Sequence, residues 1–148
     1  MTRKPLKKKV SAARDKGANK DRIYRHSSNC RWTGVATDKY KQVDGGWYSI
    51  SRRVLVGKRG ESAKFHLRYF EIAPGGCSSL ERHRHEHVVI CIRGRGRVKL
   101  GKKSCLIGNL DTVYIAPDTI HQLLNPGMEP FGFFCIVNAK RDRPKTVR

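Results

Sequence analysis

The chain has 148 residues, of which 38% are hydrophobic, so it is long enough for one domain with a lean apolar core. It carries 32 lysine and arginine residues against 12 aspartate and glutamate residues, a formal net charge of +20. Such an excess favours an anionic partner such as nucleic acid or a membrane surface. No run of about 18 apolar residues is present, which argues against a transmembrane helix.

The positive charge is concentrated at the two ends of the chain. Residues 1–42 hold 13 basic and 3 acidic residues, residues 43–138 hold 14 and 8, and residues 139–148 hold 5 and 1. We therefore predict a basic N-terminal arm over 1–42, a folded domain over 43–138 and a basic C-terminal tail over 139–148. The five cysteines form no CxxC pair, which fits reduced thiols in a cytoplasmic protein.

The N-terminal arm has no sustained apolar period, so we expect it to be irregular and disordered when alone. A short helix around Val10 to Arg14 is the one element that its sequence suggests. The arm is either a solvated tail or a segment that binds RNA through phosphates. In the second case the RNA-binding residues are Arg3, Lys4, Lys7, Lys8, Lys9, Arg14, Lys16, Lys20, Arg22 and Arg25.

The composition of the arm resembles the extensions of ribosomal proteins, which thread between helices of ribosomal RNA. That resemblance implies RNA as the partner, with ribosomal RNA as one candidate. Tyr24 and Trp32 are available to stack on bases. The arm lacks the apolar face of an interfacial helix, so we predict no membrane binding.

From about Trp47 the sequence changes to short runs rich in β-branched and aromatic residues. Glycine, proline, asparagine or aspartate separates most of these runs, and no ten-residue helical pattern follows. The pattern predicts an all-β sandwich or barrel. The predicted strands lie in WYSISRRVLVG, KFHLRYFEIA, HVVICIRG, RVKLG, DTVYIAP, HQLLN and FGFFCIVNA.

One stretch, LERHRHEHVVICIRGRG, carries the side chains most suited to metal binding. His83, His85 and His87 stand at alternate positions, and Glu81 continues the series. Side chains alternate faces in an extended chain, so these four share one side. Imidazole with carboxylate suits a divalent transition metal: Fe, Mn, Ni, Cu or Zn.

The spacing of this stretch is G-x5-E-x-H-x3-H-x6-G, from Gly75 to Gly94, and His121 follows in IAPDTIHQLLN. The chain here resembles the cupin family, whose first motif is G-x5-H-x-H-x3-E-x6-G and whose second is G-x5-P-x-G-x2-H-x3-N. A histidine and the glutamate have exchanged places in the first motif. In the second, His121 and Asn125 match, whereas Asp118 stands at a glycine position. The resemblance covers roughly residues 50–138.

The resemblance implies a single cupin-type β-barrel, a double-stranded β-helix or jelly roll. It implies one divalent transition metal held by Glu81, His83, His87 and His121. An alternative register begins at His83 and His85, making His85 an alternative ligand, but it places Val89 at the glutamate position. A degenerate barrel that binds no metal also stays open. A free cupin barrel of this kind is expected to form a homodimer.

Two functions remain open from the sequence. The first is a metal-binding cupin barrel docked on RNA, with the arm as its anchor. The second is a metal-dependent cupin enzyme, a dioxygenase, isomerase or lyase acting on a small oxygen-rich molecule. His85 and Tyr114 are the candidates for a general base, and no catalytic residue is assigned. We place the RNA-docked function first, because an enzyme of this kind has no need of a long basic arm.

Overall fold

Alternating apolar and polar residues produce an all-β chain. The structure, a computed structural model, describes residues 19–42 and 45–148, and within these ranges it contains eleven strands and no helix. The strands are β1 (Asp38–Lys39), β2 (Tyr48–Val56), β3 (Phe65–Cys77), β4 (Glu81–Arg82), β5 (His87–Arg93), β6 (Gly96–Leu100), β7 (Lys103–Ile107), β8 (Thr112–Ile115), β9 (His121–Leu124), β10 (Phe131–Asn138) and β11 (Lys145–Thr146).

Every strand pairing is antiparallel, and the strands form one continuous curled sheet. One wall contains β2, β3, β10, β5 and β8 in that order, and the other contains β11, β4, β9, β6 and β7. Strand β3 belongs to both walls, because its last residue, Cys77, pairs with Leu124 of β9. The predicted all-β barrel architecture is confirmed.

The core lies between the two walls and follows the period of two in each strand. In β10, Phe131, Phe133, Cys135 and Val137 all point inward and are buried. Apolar residues of the other strands complete the core, among them Ile50, Phe70, Ile72, Val89, Cys91, Val98, Ile107, Val113, Ile115 and Leu123.

The segment RGRGR forms a turn, because β5 ends at Arg93 and β6 begins at Gly96. Gly94 has a φ of 62°, and a Cβ atom at Gly96 would lie 2.1 Å from the Phe131 ring. Asp118, at a glycine position of the second cupin motif, has a φ of 61°. It therefore adopts the left-handed backbone that aspartate tolerates better than most residues.

The described part of the predicted arm, residues 19–42, packs on the barrel. Trp32 contacts Tyr69 and Phe134, with ring centroids 5.2 and 5.7 Å apart. Tyr40 belongs to the core, and β1 pairs with β2. The sequence does not indicate this packing, because the aromatic residues involved are too widely spaced to form a period. The helix suggested around Val10 to Arg14 lies outside the described residues.

The C-terminal segment, read from the sequence as a basic tail, also contacts the barrel. Its strand β11 pairs with β4, and the amide of Val147 donates to the carbonyl of Leu80 at 2.9 Å. The basic composition of residues 139–148 does not predict these contacts. The described residues include no helix long and apolar enough to span a membrane.

Candidate metal centre

The predicted metal-site residues are carried by three strands and the link between two of them. Glu81 lies on β4, His87 begins β5 and His121 begins β9, whereas His83 and His85 lie between β4 and β5. Glu81 and His121 are direct register partners. All five side chains are buried, so the alternate residues of this segment turn inward together.

Three of these residues form a compact group. His83, His87 and His121 each offer a ligand atom, and these atoms all lie within 4.8 Å of one another. The Nε2 atoms of His83 and His87 are 2.8 Å apart. The three histidines are therefore arranged as a possible metal site, and no other group of three potential ligands meets this description in the part of the chain that the structure describes.

Each of the three rings is held through its Nδ1 atom. His83 Nδ1 donates to the carbonyl of His85 at 2.7 Å, and His121 Nδ1 donates to the carbonyl of Thr119 at 2.8 Å. A hydrogen bond of 3.0 Å joins His87 Nδ1 to the Cys135 thiol. Fixing Nδ1 in this way orients the ring and leaves Nε2 for a metal.

Burial keeps these imidazoles neutral. It lowers the pKa of His83 to about 4, and the neighbouring His85 adds to the effect. Burial also lowers the pKa of His87 and of His121. The three rings therefore carry free lone pairs near pH 7, which is the form that binds metal.

Glu81 lies at the edge of the histidine group. Its Oε1 atom is 3.9 Å from His83 Nε2. Its Oε2 atom accepts hydrogen bonds from the Lys41 ammonium and from the Ser79 hydroxyl, the latter at 2.7 Å. Lys41 also donates to Ser79 at 2.7 Å. One carboxylate oxygen is thus occupied, and the other faces the histidines.

His85 is held outside the group of three. Its ring stacks on that of His83 with centroids 3.6 Å apart and an interplanar angle of 4°. Its Nδ1 atom donates to the Asp142 carboxylate at 2.9 Å, and its backbone amide donates to the same carboxylate. The C-terminal segment therefore positions this histidine.

A cavity of about 210 Å³ opens beside the histidines. Its lining includes Glu81, His85, His87 and His121, together with Cys135. Apolar side chains from the two walls, including Ile50, Phe70 and Leu123, complete it. Tyr114, considered as a general base, is 61% exposed and is not among the lining residues, so it is not positioned for that role.

The ten basic residues predicted to bind RNA are only partly described. Lys20, Arg22 and Arg25 are exposed, and Arg22 lies 3.7 Å from the Glu61 carboxylate. None of these three lines the cavity. The other seven, Arg3, Lys4, Lys7, Lys8, Lys9, Arg14 and Lys16, lie outside the described residues.

Several cavity and site residues escaped the sequence interpretation. Lys41, Ser79 and Asp142 hold Glu81 and His85, but no motif marks them. The contact of Cys135 with His87 has no sequence signal either. The sequence did offer one signal for the cavity, namely arginines at inward-facing strand positions. A charged residue on the buried face of a strand is unusual, so such residues point to a polar cavity.

Comparison with known proteins agrees with this geometry. A family model of the cupin domain matches residues 68–137. A curated relative from Rhodospirillum rubrum is 40% identical over 130 residues, which are 86% of this chain and 82% of the relative. The chain belongs to the cupin family. The relative is named 1-methylthio-D-xylulose 5-phosphate methylsulfurylase.

Solved cupin structures superpose on most of the chain. A cupin-2 domain from Rhodospirillum rubrum has a TM-score of 0.74 and 38% identity, covering 85% of this chain and 84% of that one. A cupin 2 conserved barrel domain protein from Rhodopseudomonas palustris has a TM-score of 0.79 and 36% identity, covering 86% and 87%. This cupin therefore shares its barrel, and most of its length, with these relatives.

Proposed function

We propose that this cupin is a metal-dependent enzyme that acts on a small phosphorylated ketose carrying a methylthio group. The substrate class comes from the name of the Rhodospirillum relative, to which 86% of the chain aligns at 40% identity. The carrying observation in the fold is that His83, His87 and His121 meet beside a cavity of small-molecule size. We therefore place the enzyme function ahead of RNA docking, which reverses the order that the sequence alone suggested.

The donor set suits a divalent transition metal. Three neutral imidazoles form the centre of the proposed site, and Glu81 supplies a fourth ligand through Oε1. Fe, Mn, Ni, Cu and Zn all accept such ligands. A bound ion of this kind supplies Lewis acidity toward the carbonyl and hydroxyl oxygens of a ketose.

The residues around the site support proton transfer and orientation. Lys41 and Ser79 fix the Glu81 carboxylate, so its free oxygen stays directed at the histidines. His85 lines the cavity with Nδ1 bound to Asp142, which leaves its other ring nitrogen to exchange a proton with a ligand. Apolar walls limit the access of water to that ligand.

The test is turnover of 1-methylthio-D-xylulose 5-phosphate by the full-length protein loaded with each of the five metals. We expect metal-dependent cleavage of the bond between the sugar carbon and the methylthio sulfur, followed by mass spectrometry of the products with and without an added thiol. With water as the co-reactant the carbon gains a hydroxyl group and methanethiol is released. With a thiol as the two-electron reductant the carbon gains hydrogen and the methylthio group leaves as a mixed disulfide. A chelator-treated sample and the His121→Ala variant are the inactive controls. Unchanged substrate with every metal, or turnover that survives chelation and the variant alike, overturns the proposal. Oxygen uptake and product mass separate this reaction from a dioxygenase or isomerase reaction.

RNA docking becomes a second proposal, compatible with the first. Its support is the charge of the arm, with ten basic residues in the first 25. The relatives described above bring no support for an RNA or ribosomal partner. A homodimer and a cytoplasmic location likewise remain proposals that follow from the family resemblance and the reduced cysteines.

A further inference from the structure

Three arginines line the cavity beside the histidines: Arg52, Arg68 and Arg141. Arg52 lies on β2 and Arg68 on β3, where they pair with Phe70 and Cys135. Both partners point into the barrel, so strand parity turns the two arginines inward as well. Arg141 reaches the same cavity from the C-terminal segment. A buried face of a sheet rarely carries charged side chains without a partner for them.

No carboxylate among the described residues forms an ion pair with any of the three. Glu71 binds Arg53 and Arg93, Glu81 binds Lys41, and Asp142 binds His85. Furthermore, the Nε atoms of Arg52 and Arg68 are buried without a hydrogen-bond partner. Buried donors in that state are costly, because they have lost their water without gaining an acceptor.

The three positive charges also repel one another. Burial lowers the pKa of Arg141, and the charges of Arg68 and Arg52 lower it further. Arg141 is nevertheless held in place, since its Nη1 atom donates to the carbonyl of Asn138 at 2.8 Å and contacts His66 Nδ1 at 3.0 Å. An anion between the guanidinium groups would remove the repulsion and accept from the unpaired donors.

We propose that Arg52, Arg68 and Arg141 form the subsite that binds the phosphate group of the substrate. Three guanidinium groups match a phosphate dianion, which offers several acceptor oxygens, better than a single carboxylate. This inference rests on the proposed function and adds the residues that select a phosphorylated ligand.

The position of the arginine subsite fits a short substrate. Arg68 Nη2 lies 3.4 Å from the Cys135 thiol, and that thiol lies 3.0 Å from His87 Nδ1. One side chain thus separates the phosphate-binding group from the histidine group. A five-carbon sugar held by its phosphate would place its oxygens beside the histidines.

The experiment measures binding by calorimetry to the full-length, metal-loaded protein. The ligands are inorganic phosphate, D-xylulose 5-phosphate and D-xylulose. The variants are Arg52→Gln, Arg68→Gln and Arg141→Gln, with Arg97→Gln as the control, because Arg97 has the same charge but does not line the cavity. Arg68→Lys keeps the positive charge but loses the planar guanidinium group, which can donate two parallel hydrogen bonds to a phosphate.

We expect each glutamine variant to bind both phosphate ligands about tenfold more weakly or worse, with Arg97→Gln unchanged. D-Xylulose should bind weakly and equally to all of them. Arg68→Lys should lie between the wild type and Arg68→Gln. If Arg68→Gln does not fold, Arg52→Gln and Arg141→Gln decide the matter.

Wild-type phosphate affinity in folded arginine variants would overturn the inference, even if the enzyme turns over its phosphosugar. Conversely, arginine-dependent phosphate binding without any metal-dependent turnover would overturn the proposed function and support the anion subsite. The two failures therefore give different results.

Discussion

The Nε2 atom of His83 lies 2.8 Å from the Nε2 atom of His87. With metal–nitrogen bonds of about 2.1 Å, two ligands at a right angle are about 3.0 Å apart, and two tetrahedral ligands are about 3.4 Å apart. The observed spacing is close to both values, which fits two ligands of one ion.

Loss of the histidine ligands should remove the metal. We expect His121→Ala to lower the metal content of the purified protein, and the double variant His83→Ala/His121→Ala to abolish it, because only His87 and Glu81 of the four proposed ligands remain. Elemental analysis of the purified proteins gives the measurement. His26→Ala is the control, since His26 packs on Trp32 and lies outside the histidine group. Near-stoichiometric metal in the double variant would contradict the assignment.

Glu81→Gln should weaken metal binding without emptying the site. A glutamine keeps the size of the side chain and removes the charge that Oε1 directs at the histidines. We expect a loss of about 10- to 100-fold in affinity, measured by competition with a chelator of known affinity. Glu86→Gln, on the opposite side of the same segment, should bind like the wild type. Equal affinities in Glu81→Gln and the wild type would remove Glu81 from the ligand set.

Asp142→Asn should change how stability depends on pH. Hydrogen bonds from the Arg84 amide and then from the His85 side chain hold the pKa of the Asp142 carboxyl well below its usual range. A carboxyl with a depressed folded pKa stabilises the fold above its unfolded pKa of about 3.9, and this contribution is lost as the pH falls through the lower folded value. The free energy of unfolding of the wild type should therefore exceed that of the variant by the largest amount at neutral pH.

Urea unfolding of the metal-free proteins between pH 3 and 7 gives this comparison. The stability difference between the wild type and Asp142→Asn should narrow as the pH falls below about 4. Glu129→Gln, an exposed carboxyl elsewhere, is the control. A difference that stays constant across this range would show that the contribution of Asp142 does not depend on its charge.

The free protein should be a homodimer. The barrel exposes several large apolar side chains that a second copy could cover, namely Tyr48, Phe65, Leu106, Leu110 and Tyr114. Light scattering at micromolar concentration in 0.3 M salt, which weakens contacts driven by charge alone, gives the mass. A clean monomer under these conditions would contradict the expectation.

The arm should bind RNA in a manner that depends on salt. About six phosphate contacts would give a log–log salt slope of roughly −4 to −5, a loss of several hundred-fold between 50 and 200 mM salt. Deleting residues 1–18 removes seven of the ten basic residues and spares Arg22, which contacts Glu61 of the barrel. The deletion should abolish most binding and leave the metal content intact. Equal binding by both proteins would reduce the arm to a solvated tail.

The sequence predicted the barrel because its strands alternate clearly. Strands β2, β5, β8, β9 and β10 fall within predicted runs, β6 begins one residue before its run, and β3 continues four residues beyond its run to Cys77. Strand β7 was missed, since four of its five residues are exposed and its sequence, KSCLI, has little alternation. Short strands such as β4 and β11 form only because distant segments meet, and local patterns do not show that.

The histidine group was predictable for a similar reason. His83 and His87 belong to one extended segment, and the family motif supplied His121. The supporting contacts were not predictable, because Lys41 and Glu81 are 40 residues apart and His85 and Asp142 are 57 apart. Such pairings depend on how the two walls meet in the folded barrel. Lys41 and Asp142 lie in segments whose basic composition predicts an arm and a tail, so the sequence does not indicate that they contact the site.

The pairing of β11 with β4 holds the C-terminal segment against the site, and the complete site needs residues from that segment. Arg141 lines the cavity and Asp142 holds His85. The last member of the histidine group, His121, precedes both of them in the chain. A copy shortened by a protease after Ala139 would keep the histidine group and lose both of these residues. Intact C-terminal ends are therefore worth verifying by mass spectrometry in any preparation, and an affinity tag is better placed at the other end.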